Sequence, residues 1–144
     1  VPAGFAIALH VRFTTPTYLF QTYPEEWIDH YSAAGLVMQD PTVAWAFGNT
    51  GTIRWRDLAA ADPAGVLAAA AGHGLKFGFT YSQDRDSSTS LSSFSRTDRD
   101  FTDDEISDIC ALVDELHDLT ANGASLGVET RDNLRRMSVR FTHP

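Results

Sequence analysis

The sequence predicts an α+β domain: an antiparallel sheet of about five strands with helices on both faces, an α/β/α sandwich. Three observations predict it. Residues 5–13 and 75–82 alternate at the strand period of two, and 89–96 reads as a further strand with a hydroxyl-lined face. Residues 24–34 and 102–120 carry apolar side chains at helical spacing between capping signals. The order is strand, strand, helix, helical segment, helix, strand, strand, helix. Hairpins flanked by helices are the pattern of an antiparallel α+β sheet. At 144 residues the chain is expected to form a single domain over 1–144, with 123–144 a basic C-terminal extension.

The elements follow in order. In FAIALHVRF, Phe5, Ile7, Leu9, Val11 and Phe13 share one face, and Ala6, Ala8, His10 and Arg12 the other. TTPT at 14–17 is a turn, and Tyr18–Thr22 a second strand completing a hairpin. Pro24 suits the first turn of a helix that Gly35 stops. Residues 41–49 read as a short helix ending at Gly48-Asn49, and 50–57 as a loop or short edge strand bearing Trp55. Asp62-Pro63 is a cap for an alanine-rich helix stopped by Gly72-His73-Gly74. LKFGFTYS puts Lys76, Gly78, Thr80 and Ser82 on one face. QDRDSS at 83–88 is a polar turn before the hydroxyl-rich strand TSLSSFSR. Thr102-Asp-Asp-Glu105 is a capping box, and its helix runs to about Thr120. A loop over 121–127 and a short basic helix over 130–138 complete the prediction. The outline is similar to PAS and GAF sensor domains, which alone assigns no function.

Net charge is -8 and the pI about 4.9. That balance argues against this chain itself holding nucleic acid or an anionic membrane. The charge is concentrated: residues 83–122 hold eleven acidic and three basic side chains, whereas 123–144 hold two acidic residues and four arginines. Cys110 is the single cysteine, so neither an internal disulfide nor a thiolate metal cluster is expected. No apolar run reaches membrane-spanning length and no signal peptide is visible, so a cytoplasmic domain is expected. The five histidines are not at metal-ligand spacing, and no nucleophile–base motif occurs. The expectation is no metal, no cofactor, no catalytic residue and no enzyme activity.

The most informative stretch is TYPEEWIDHYSAAGLVMQDPTV at 22–43. Tyr23, Trp27 and Tyr31 are four apart and share a face, and Asp40 is held extended by Pro41. The same spacing describes an ordinary core face, and Asp-Pro an ordinary cap. Together, however, an indole, phenols and a carboxylate can offer donors and an obligate acceptor to one amide-bearing ligand.

Taken jointly, YPEEW at 23–27, HYSAAG at 30–35, DPT at 40–42, Trp55 and GLKFGFT at 74–80 resemble the autoinducer-binding domain of LuxR-type quorum-sensing receptors. The resemblance covers about residues 4–120. It implies a sensor domain binding a small signalling molecule, an N-acyl-homoserine lactone, in a buried cavity. It assigns the Trp27 N–H to the lactone carbonyl, Asp40 to the amide N–H, and Tyr23 with Ser93 to the acyl carbonyl. Tyr31 belongs to the same aromatic face, Trp55 would pack on the lactone ring, and Thr42 and Thr80 would steady Asp40 or line the head-group end. The tail would lie along Leu36, Phe77 and neighbouring apolar faces.

Three departures qualify the match. The family's helix before the first strand is not seen ahead of Phe5. The turn between the late strands lacks the family's Pro-Leu and glycines, so the register at Ser93 is open by a residue. The residues after Gly123 are too few for the family's helix-turn-helix, so direct DNA contact by this chain is not expected. The partners implied are the small-molecule signal and a homodimer or a heterodimer with a LuxR-type receptor. The rival reading is a stand-alone interaction protein that pairs with full-length receptors and modulates them.

Overall fold

The structure is a computed structural model and describes residues 4–12, 15–85 and 87–121. Five strands form one sheet: β1 (Gly4–Arg12), β2 (Thr15–Gln21), β3 (Gly51–Arg54), β4 (Phe77–Arg85) and β5 (Ser88–Arg96). Their order is β2-β1-β5-β4-β3, and every pairing is antiparallel. Two hairpins, β1–β2 and β4–β5, are joined by β1 pairing with β5, and β3 adds an edge. The α+β sheet is as predicted. The readings for 121–127 and 130–138, and the basic extension as a whole, lie outside the described residues apart from Ala121.

One face of the sheet carries α4 (Asp103–Thr120). Phe79, Phe94, Phe101, Ile106 and Val113 form the buried layer between them. The capping box forms: Thr102 Oγ1 accepts from Glu105 N at 3.2 Å, and Glu105 Oε1 accepts from Thr102 N at 2.8 Å. Arg99 grips the same carboxylate with two N–H groups, and that pair, followed by the Thr102 amide, holds the Glu105 carboxyl down at about 2. Cys110 packs beside this layer; burial, then Asp114, pushes its thiol up to about 11.

The other face carries α1 (Glu25–Ala33), α2 (Pro41–Gly48) and α3 (Val66–Gly72), with 3-10 turns at Leu36–Met38 and Trp55–Ala61. Pro24 is the N-cap of α1, and Gly35, at φ 62, ends the α1 region in the left-handed conformation. Trp27, Trp55, Val66, Ala70 and Leu75 form this second core. No helix among the described residues is long and apolar enough to cross a membrane.

Four sequence expectations are corrected. The alternation of β1 breaks at a bulge, where three steps from Ala8 to Val11 oppose two from Leu91 to Thr89 on β5. His10 takes φ 54 there, so it turns to the α4 side and Val11 joins Ala6 and Ala8 on the opposite face. The helix expected from Asp62-Pro63 starts at Val66, because residues 55–61 are 3-10 and Gly65 (φ 69) redirects the chain. Asp62 still caps it, accepting from Val66 N and Leu67 N at 2.8 Å each. The short edge strand expected within 50–57 forms as β3, but it ends at Arg54, so Trp55 opens the 3-10 segment instead of lying on the strand. The polar turn at 83–88 is shorter than expected, since β4 runs to Arg85 and β5 begins at Ser88.

Candidate ligand-binding cavity

A cavity of about 470 Å³ lies between the sheet and the helices α1 to α3. Register builds its floor. Gln21, Ala6, Ser93 and Thr80 align across β2, β1, β5 and β4 as one row. Leu19, Ala8 and Leu91 form the next row, and Pro16 and Val11 continue beyond it. The row through Ser93 is largely polar and the following rows are apolar. Ala6 and Ala8 leave the volume above the sheet that a larger side chain would fill.

Of the eight residues expected at the site, Tyr23, Trp27, Tyr31, Asp40, Thr42, Trp55 and Ser93 line this cavity. Thr80 does not; it is fully buried beside it. Asp40 is the N-cap of α2 and is held from two sides. Its Oδ1 accepts from Thr42 N at 2.8 Å and from Thr42 Oγ1 at 2.6 Å, and its Oδ2 accepts from the Tyr31 hydroxyl at 2.8 Å. A carboxylate offers about four acceptor positions, so three bonds leave one, on Oδ2. Burial, then the Asp40 charge, pushes the Tyr23 and Tyr31 phenols well above their usual range, so both remain protonated donors.

Trp27 is 5% exposed and its indole N–H bonds no described residue. Its ring is fixed by Tyr31 at 5.8 Å and His73 at 5.3 Å between centroids. The Trp55 indole N–H donates to Thr80 Oγ1 at 3.1 Å, and Thr80 Oγ1 lies 2.7 Å from Ser93 Oγ. Thr80 therefore positions Trp55 and Ser93, not Asp40, whereas Thr42 does hold Asp40. Tyr23 donates to the Ser93 backbone carbonyl at 3.2 Å. Gly78 explains how Trp55 sits so close to the sheet: a Cβ there would fall inside the indole.

The tail assignment is corrected. Neither Leu36 nor Phe77 lines the cavity; Leu36 packs on the Trp27–Trp55 core, and Phe77 is 38% exposed. The apolar walls come instead from Val11, Leu19 and Leu91 on the sheet and Val37, Val43 and Phe47 opposite. The small-residue face of β1 was the sequence signal for this floor, and the bulge that adds Val11 to it had none. On the far side of the sheet the His10 and His117 rings pack with centroids 4.3 Å apart, tilted by 37°. Among the described residues no group of three or more His, Cys, Asp or Glu is placed to hold a metal ion.

Residues 5–119 match the family model described as the autoinducer binding domain. Among solved structures, the fold is similar to CepR2 from Burkholderia cenocepacia, an N-acylhomoserine lactone dependent LuxR family transcription factor. The TM-score is 0.58 at 19% identity, covering 78% of this chain and 68% of that one. For SdiA in complex with octanoyl-rac-glycerol it is 0.56 at 26% identity, covering 76% and 47%. For the VqsR LBD domain from Pseudomonas aeruginosa it is 0.52 at 17% identity, covering 91% and 77%. The matched part thus spans about half the length of that SdiA chain. No curated protein matches the sequence.

Proposed function

We propose, for a chain that belongs to the autoinducer-binding domain family of LuxR-type receptors, that the cavity binds an N-acyl-homoserine lactone as a signal and does no chemistry on it. One observation carries this reading: a single cavity joins an unsatisfied indole N–H and a partly satisfied carboxylate to an apolar extension. The ligand has the complementary order of lactone carbonyl, amide N–H, amide carbonyl and alkyl chain.

Trp27 N–H donates to the lactone carbonyl. The remaining position on Asp40 Oδ2 accepts the amide N–H, a charge-assisted bond that contributes about 1.5–3 kcal/mol. The acyl carbonyl is taken by Tyr23, turning its proton from the Ser93 carbonyl, and by Ser93. With Thr80 accepting from Trp55 and donating to Ser93, the Ser93 hydroxyl proton is left for the cavity. Trp55 covers the lactone ring.

The experiment is a thermal-shift panel of homoserine lactones of increasing acyl length, with octanoyl-rac-glycerol, the ligand named for SdiA, as comparator. A ligand buried in the core raises the melting temperature by mass action. The glycerol ester has no N–H for Asp40, so the lactones should shift the transition further. Trp27→Phe should reduce the lactone shift. No shift with any lactone would end this reading.

A second reading, association with a LuxR-type partner, is favoured by Leu112 and Leu119. They lie seven residues apart on α4 and are 65% and 58% exposed. Sedimentation of the protein alone and with candidate receptors tests it; a strictly monomeric protein with no partner would count against it.

A further inference from the structure

We infer that Gln21 reads an oxygen on the acyl chain close to the amide, so that the favoured ligands are lactones with a 3-oxo or 3-hydroxy acyl group. The inference rests on the acyl-lactone reading above and adds the class of chain.

Gln21 faces the cavity from β2, in the row Gln21–Ala6–Ser93. It is the last polar position of that row; the next row is Leu19, Ala8 and Leu91. Tyr23, Asp40, Thr42 and Ser93 have hydrogen-bond partners within the protein. The carboxamide of Gln21 has none among the described residues, although its backbone is paired in the sheet. Ser32 shares this property but is an exposed residue at the helical wall. Gln21 is part-buried at the cavity wall, and a carboxamide there with no protein partner is free to bond a ligand atom.

Position selects which ligand atom. Gln21 and Ser93 are separated by two strand spacings, about 10 Å between their backbones. Only the methyl group of Ala6 stands between them. With the acyl carbonyl at Ser93 and Tyr23, a chain leaving toward Leu19 and Val11 first crosses Ala6, within reach of the Gln21 side chain. The atoms crossing there are the first carbons after the amide carbonyl. A carboxamide both donates and accepts. Its N–H suits a ketone oxygen, and its carbonyl suits a hydroxyl. Farther along the channel the walls are apolar, so an oxygen placed later in the chain finds no partner on the sheet.

The test compares affinities of N-octanoyl-, N-(3-oxooctanoyl)- and N-(3-hydroxyoctanoyl)-homoserine lactone for the full chain and two variants. The wild type should favour the oxygenated chains by about 5- to 10-fold, the worth of one hydrogen bond. Gln21→Met keeps length and bulk and should abolish that ratio. Gln21→Glu can only accept, so it should favour the 3-hydroxy over the 3-oxo chain. Ratios unchanged by both variants, with lactones still bound, would overturn the assignment of Gln21 alone. Failure of every lactone to bind the wild type would overturn the underlying reading and this inference with it.

Discussion

The Tyr31 hydroxyl donates to Asp40 Oδ2 at 2.8 Å, tying α1 to the N-cap of α2 through one carboxylate oxygen. The two Thr42 bonds fix the other oxygen. The carboxylate is therefore oriented before any ligand arrives, which reduces the ordering required on binding. Tyr31→Phe removes the phenol bond and leaves the Thr42 pair. Lactone affinity should fall about fivefold, the value of one hydrogen bond near 1 kcal/mol. Calorimetric titration of the variant checks it; unchanged affinity would mean that Thr42 alone sets the carboxylate.

Gly78 is the point of closest approach between the sheet and Trp55. Gly78→Ala must push the indole off Thr80, and overpacking of this kind costs about 1–3 kcal/mol. Urea unfolding should show that loss, with a changed near-ultraviolet signal from the displaced indole. Trp55→Phe frees space above residue 78, so the double variant should lose less than the two single losses added. Strict additivity would refute the steric account.

His10 and His117 form a second, acid-sensitive relationship. The His10 Nε2–H lies 3.1 Å from the His117 carbonyl and 3.0 Å from Thr120 Oγ1, and Ser88 Oγ is 2.6 Å from its Nδ1. The carbonyl can only accept, so Nε2 carries the proton and Nδ1 accepts from Ser88. Burial, then His117, holds the His10 imidazole below its ordinary value of 6.5, against the raising effect of the His117 carbonyl. The folded state thus binds this proton less readily than the unfolded chain. Its stabilising contribution is complete above pH 6.5 and is lost as pH falls through the lowered folded value. Arg85, whose backbone carbonyl lies 3.3 Å from His117 Nε2, is ion-paired through its side chain with Asp114 and Asp118. The urea midpoint should therefore decline from pH 7 to pH 5. His10→Asn tolerates the left-handed backbone at φ 54 and should flatten that decline; an equally steep decline would exclude His10 as its source.

Much of this was legible in the chain because local signals agreed with the final packing. The Thr102–Glu105 capping box, the Gly35 stop and the alternation of β4 each depend on residues near in sequence. The polar cavity-lining residues were legible as a set because Tyr23, Trp27 and Tyr31 fall at helical spacing, with Asp40 shortly after. What failed depended on distant pairing. The bulge that exchanges His10 and Val11 is a register event between β1 and β5, some eighty residues apart in sequence. Leu36 and Phe77 had the right chemistry for a tail channel, but the folded chain turns both away from it. Thr80 had the right face of its strand, yet Trp55 and Ser93 take its hydroxyl before any ligand can.

The central claim is that Asp40 accepts the ligand amide, and Asp40→Asn tests it most directly. Asparagine caps helices as well as aspartate, so the ligand-free melting temperature should change little. Its amide can keep the Thr42 amide bond through oxygen, but it then presents N–H groups to Tyr31 and to the ligand N–H. Isothermal titration with the tightest-binding lactone should show a loss of about 10- to 150-fold, the worth of a charged hydrogen bond. Wild-type affinity in a folded Asp40→Asn protein would contradict the account.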